Sequence, residues 1–160
     1  MIAAEMAQPP PPPWAGPLVE LYRERYQPMV RLAYLLTGDR TAAEELVQDA
    51  FVSVHRSWSR VNQPASYLRT AVVNACRSWG RRRTLEAHRR PRRAEPAVLV
   101  ADELWDSLGR LPERQRSAIV LRFYEDLPDA DIAVALGCRP ATVRTAIHRG
   151  LAALRTEVPR

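Results

Sequence analysis

The sequence predicts an all-α chain: two small helical domains joined by a basic linker. Apolar residues recur at helical spacing over most of the 160 residues. No run alternates with period 2, and no Asn-Gly or Asp-Gly hairpin signal occurs. The charge is concentrated in one place. Residues 80–100 hold seven Arg against two acids, whereas residues 17–79 hold eight against six and residues 101–160 nine against nine. Pro91 and Pro96 fall in the same stretch, and helical periodicity fades there, so 87–100 reads as a linker. The expected layout is a disordered Pro-rich arm over 1–16, a domain over 17–86, the linker, and a second domain over 101–160. The five prolines Pro9–Pro13 make the arm extended, in the polyproline sense.

The first domain reads as three helices. From Leu18 the residues Tyr22, Tyr26, Met29, Ala33 and Leu36 step by three or four. Pro28 interrupts this pattern and predicts a kink or break, and Gly38 ends the helix. Asp39 or Thr41 caps the next helix, which runs to about Trp58 with Ala43, Leu46, Val47, Ala50, Phe51 and Val54 inward. After a polar loop, Pro64 opens a third helix that buries Leu68, Ala71, Val72, Ala75 and Trp79. The second domain reads as four shorter helices: about Asp102 to Arg110, one opened by Pro112, about Asp129 to Leu136, and one opened by Pro140. In the second of these some combination of Ala118, Ile119, Leu121, the stem of Arg122 and Phe123 supplies the apolar face. Each half is small, so each core is modest.

The composition narrows function. All 24 basic residues are arginine, against 18 acids, for a net charge of +6 and a pI near 10.1. Guanidinium is the stronger phosphate and base-edge binder, so a polyanionic partner is expected. No apolar run approaches the roughly 18 residues of a membrane span, and the N-terminus lacks a secretory signal, so a cytoplasmic chain without membrane insertion is expected. Cys76 and Cys138 make neither a disulfide framework nor a zinc pattern. There is no Gly-rich phosphate loop, no nucleophile with a plausible His partner and no paired metal ligands. Neither enzyme activity, metal nor cofactor is expected.

Three constellations carry chemistry. Asp131 to Cys138 followed by Pro140-Ala141-Thr142-Val143 has the grammar of a helix-turn-helix, with Gly137 at the turn and Ile132, Leu136, Val143 and Ile147 closing the core. Its second helix presents Thr142, Arg144, Thr145, His148 and Arg149 in the half that would enter a major groove. On the third helix Tyr67, Thr70, Asn74, Arg77 and Arg81 share one face. An aromatic, an amide and guanidiniums together suit an opened strand: a base stacks, a base edge is read, the backbone is held. On the second helix Glu45, Gln48 and Asp49 form an acidic-amide patch beside the apolar Phe51 and Val52, which suits a protein partner with basic residues. These residues leave two readings open: a subunit that meets both DNA and a protein partner, and a stand-alone helix-turn-helix regulator that binds its operator unaided.

Together, and in this order, these segments resemble the extracytoplasmic-function group of sigma factors of the sigma-70 family, in the arginine-rich actinobacterial style, over about residues 17–156. Ala43 to Phe51 looks like the polymerase-binding helix of region 2; Tyr67 to Arg77 with Arg81-Arg82-Arg83 looks like the promoter-melting helix. Leu111-Pro112-Glu113-Arg114-Gln115-Arg116 and the helix-turn-helix look like region 4. The resemblance implies that Glu45, Gln48, Asp49 and Phe51 contact the β′ clamp helices of core RNA polymerase, with the β flap as a further contact. It implies that Asn62 in the Val61–Ser66 loop, with Tyr67, Thr70 and Asn74, captures a flipped base of the −10 element. Arg77, Arg81, Arg82 and Arg83 would then hold backbone, and Thr142, Arg144, Thr145, His148 and Arg149 would dock the −35 element. An anti-sigma factor is the implied regulator. The chain departs from the family pattern at Tyr67, where Trp is usual, at Ser78, where Asp is common, at Arg139, where Ser commonly caps, and at Ala146, where a polar or basic residue is frequent.

Overall fold

The computed structural model describes residues 12–89 and 103–157, which fold into seven α-helices and one short 3-10 turn. Most of the Pro-rich arm and most of the linker lie outside the described residues. The N-terminal module is built from α1 (Ala15–Thr37), α2 (Arg40–Ser57), the 3-10 turn Trp58–Arg60 and α3 (Pro64–Arg89). The C-terminal module is built from α4 (Glu103–Gly109), α5 (Glu113–Phe123), α6 (Asp129–Leu136) and α7 (Pro140–Glu157).

Local rules place the joints. Gly38 adopts φ 71°, and its N–H bonds to Tyr34 O at 2.7 Å, the left-handed cap that ends α1. Asp39 is the cap of α2: its Oδ1 accepts from Ala42 N at 2.9 Å. Gly137 adopts φ 62°, and Cys138 N bonds to Ala133 O at 3.0 Å, which closes a Schellman turn between α6 and α7.

The core runs through both modules. Met29, Leu32, Ala33, Val47, Val54, Leu68 and Val72 are fully enclosed in the first, and Ala118, Leu121 and Ile132 in the second. Each large apolar side chain so buried contributes about 1.5–3 kcal/mol.

Two expectations need correction, and the combination left open on α5 is decided. Pro28 does not break α1, which runs unbroken from Ala15 to Thr37. Proline removes one rung of the helix, but the residues that follow it, Met29, Leu32 and Ala33, are locked in the core and hold the helix together. Phe123 is 64 % exposed, because α5 ends at that residue and its stripe passes to Ala118, Leu121 and Leu127. On α3 the buried residues are Leu68, Val72, Val73 and Cys76, while Ala71, Ala75 and Trp79 are half-buried. The buried stripe extends to Val73 and Cys76, and Cys76 also lines a cavity shared with Glu113, Arg116 and Ser117 of the C-terminal module. The two modules touch: α1 packs on α5, and α3 meets α6.

Candidate nucleic-acid and protein interfaces

The exposed half of α7 follows directly from the Gly137 turn. Val143 and Ala146 point into the core, and Ile147 packs against it. At helical spacing this leaves Arg144, Thr145, His148 and Arg149 exposed, with Thr142 half-exposed. Ala146 is thus a packing residue that also borders the groove beside α7. The Thr145 hydroxyl donates to Ala141 O at 3.0 Å, which leaves its oxygen able to accept. Arg144 Nη1 lies 3.7 Å from Asp129 Oδ2, and the other oxygen of that carboxylate takes the Arg122 guanidinium. One carboxylate at the start of α6 therefore ties the end of α5 to the exposed helix. Its negative charge also suits the N-terminal end of α6.

A groove of about 370 Å³ runs beside α7, lined by Pro112, Arg114, Gln115, Thr142, Thr145 and Arg149 among others. Arg114 and Arg149 put two guanidiniums on it, an arrangement suited to a phosphate backbone. Arg114, Gln115 and Asp129 are additions to the sequence expectation. The Leu111–Arg116 motif gave the signal for the first two, while the position of Asp129 depends on tertiary packing.

The face of α3 is divided among neighbours. Thr70, Asn74 and Arg81 are exposed at its centre, and Arg81 donates to Ser78 Oγ at 3.1 Å. Tyr67 turns toward α2, where its hydroxyl lies 3.3 Å from Ser53 Oγ and 3.2 Å from Ser57 Oγ. Those hydroxyls hold the phenol below its ordinary pKa. Arg77 turns the other way, and its Nη1 donates to Ala135 O of α6 at 3.1 Å. Arg83 bonds to Asp39 Oδ2 at 3.3 Å and stacks over Trp79. Arg82 is exposed about 100° around the helix from Arg81. Asn62 is exposed in the loop before α3. The expected single face thus keeps its centre, while both edges engage neighbouring helices.

On α2, Glu45, Gln48 and Asp49 are exposed together. Phe51 does not share that surface: it is buried, with its ring 4.9 Å from Tyr22 and 6.4 Å from Tyr26. The apolar exposure beside the acidic patch comes from Val52 and Tyr22. Among the described residues no cluster of His, Cys, Asp and Glu could hold a metal ion, and no helix is long and apolar enough to cross a membrane.

Comparison with known proteins agrees with this division. Residues 21–86 match the family Sigma-70 region 2, and residues 101–154 match Sigma-70, region 4. The RNA polymerase sigma-E factor of Streptomyces avermitilis is 33% identical over 151 residues, covering 87% of this chain and 83% of that protein. The ECF RNA polymerase sigma factor SigM of Mycobacterium tuberculosis is 31% identical over 150 residues, covering 84% of this chain and 74% of that one. The fold resembles that of the sigma factor RpoE crystallised with the anti-sigma factor NepR from Bartonella quintana, at a TM-score of 0.73 and 21% identity over 91% of this chain and 100% of that chain. With two modules in this order and relatives covered over most of their length, the chain belongs to the sigma-70 family, as an extracytoplasmic-function sigma factor of actinobacterial type.

Proposed function

We propose that the chain acts as a two-point reader of promoters, with core RNA polymerase as its obligate partner. The observation that carries this reading is the exposure, in one chain, of an acidic patch on α2, a polar and basic face on α3, and the Arg144–Arg149 surface of α7. Glu45, Gln48 and Asp49, with Val52 beside them, form the contact with the β′ clamp helices; Phe51 supports that surface from below. Asn62, Thr70 and Asn74 receive an unpaired base of the −10 element, Tyr67 backs the pocket, and Arg77, Arg81, Arg82 and Arg83 hold the strand. Thr142, Arg144, Thr145, His148 and Arg149 read the −35 duplex, and the α5–α7 groove with Arg114 grips its backbone. The C-terminal module also meets the β flap.

Binding energy drives this work. Extruding a base from a duplex costs a few kcal/mol, which contacts to the freed base and backbone offset, so no hydrolysis is needed. The domain division follows the same chemistry, with the 17–86 unit acting on core polymerase and the opened strand and the 101–160 unit on duplex. An anti-sigma factor is the proposed regulator, and the cytoplasm the proposed place of action. The test is run-off transcription with purified core polymerase on a library of promoter sequences. Selective transcripts that depend on the added chain support the reading. Tight binding of the chain alone to one duplex, with no transcript, overturns it in favour of a stand-alone regulator.

A further inference from the structure

A half-open cavity of about 360 Å³ lies where α1, α3 and α5 come together. Three guanidiniums line it, Arg77 and Arg83 from α3 and Arg116 from α5, against a single carboxylate, Glu113. Three positive charges and one negative leave the lining at +2.

These charges are unevenly answered. Arg83 has the Asp39 carboxylate at 3.3 Å. Arg77 and Arg116 have carbonyls instead: Ala135 O for the first, Leu111 O and Leu36 O, at 3.2 and 3.3 Å, for the second. Among the described residues no carboxylate forms a salt bridge with either. A carbonyl accepts a hydrogen bond but brings at most a partial charge. Arg116 is the least well served. Its guanidinium packs over Trp105 at 5.4 Å from the ring centre, and its Nε is buried with no hydrogen-bond partner. Burial also holds it below the ordinary arginine pKa. A cation drawn out of water without a counter-charge is costly, so the cavity favours an anion.

Shape and lining narrow the anion. On α3 the lining runs from Cys76 to Ala87, about 16 Å along the helix. Arg77 and Arg83 stand about 9 Å apart along that axis. One tetrahedral phosphate is short for that distance, whereas two linked phosphoryl groups span more of it, each meeting a planar guanidinium fork. The Trp79 ring, a possible platform for a base, is already covered by Arg83 at 4.9 Å. Recognition therefore falls on phosphoryl groups.

We propose that this cavity binds a diphosphate group, as free pyrophosphate or as part of a nucleoside diphosphate, through Arg77, Arg83 and Arg116. Glu113 opposes the ligand and keeps its affinity moderate.

The test is isothermal titration calorimetry of the full chain with pyrophosphate and with ADP, in magnesium-free buffer at constant ionic strength. DNA is left out, because Arg77 and Arg83 also serve the strand in the proposed function. One-to-one saturation below about 1 mM is expected, and sulfate at the same ionic strength should give none. Two variants at exposed positions should move the affinity in opposite directions. Glu113→Gln removes the carboxylate and should tighten binding about three- to thirtyfold. Ala87→Asp adds a carboxylate at the far end of the cavity and should weaken binding by a similar factor. Arg116→Gln should abolish binding; if it also loses helix content, the two exposed variants decide.

Equal affinity for the two ligands assigns the site to the diphosphate itself, and tighter binding of ADP assigns it to nucleoside diphosphates. No saturation by either ligand, an equal response to sulfate, adenosine binding as well as ADP, or affinities unmoved in both exposed variants overturns the site. None of these outcomes bears on whether the chain binds core polymerase, so the proposed function stands or falls separately.

Discussion

Replacing Arg144 with Ala tests the reading of α7 at one atom group. Arg144 is 63% exposed at its side chain and lies 3.7 Å from Asp129. A pair that open to water is worth about 0–1 kcal/mol, so leaving Asp129 for DNA costs little. Asp129 also keeps Arg122 when Arg144 departs, so its carboxylate is not stranded. A bidentate contact to guanine O6 and N7 is worth about 1–3 kcal/mol, or about 5- to 150-fold in affinity. Arg144→Ala in the assembled holoenzyme should therefore weaken a −35 duplex by about that factor. The loss should be confined to sites with guanine at one position, and it should shrink when that base is 7-deazaguanine, which keeps O6 but lacks the N7 acceptor. Fluorescence anisotropy across a set of single-base variants at fixed salt measures it. An equal loss on every sequence, with a salt slope shallower by about one, would instead make Arg144 a phosphate contact. No loss at all refutes the reasoning.

Other outcomes follow from single residues. Asp39→Ala should cost about 1 kcal/mol of stability in urea melts through the lost cap on α2, whereas Asp39→Asn, which keeps an acceptor, should cost less than that. The difference isolates the cap from the exposed Arg83 pair, itself worth about 0–1 kcal/mol. Burial pushes the Cys76 thiol from 9.0 up to about 12. The folded state keeps this thiol protonated where the unfolded chain ionises, so its contribution is intact below about pH 9 and is lost as pH rises toward about 12. The slope is at most about 1.4 kcal/mol per pH unit, and Cys76→Ala should flatten it in denaturant melts run across that range. Asn74→Ala should abolish permanganate reactivity of promoter thymines while leaving the complex with core polymerase intact, because Asn74 is exposed and lies outside the core.

Most helix boundaries were legible because local chemistry sets them. Gly38, Asp39, Pro64, Gly137 and Pro140 each stop, cap or start a helix where turn and cap rules place them. The exposed half of α7 was legible too, since Val143 and Ile147 anchor its other side, whereas the burial of Ala146 beside them was not. The α3 face was legible only at its centre. Spacing alone puts Tyr67 and Arg77 at its two edges, and edge residues are taken by whichever helix lies nearest: α2 for Tyr67, α6 for Arg77. The same dependence on tertiary neighbours hid the roles of Trp105, Arg116 and Asp129. Phe51 was ambiguous, since a helix position at the border of the core stripe can face either way. Tyr22 and Tyr26 decide the matter by covering it.

The central claim is that this chain works as a subunit of RNA polymerase through the exposed α2 patch. The most direct measurement is size-exclusion chromatography of the chain with purified core polymerase, alongside a Glu45/Gln48/Asp49→Ala triple variant. The account predicts a one-to-one complex for the parent and its loss in the variant, with helix content unchanged because all three side chains are exposed. A variant that binds as well as the parent contradicts the assigned interface, and a parent that elutes apart from the polymerase contradicts the claim itself.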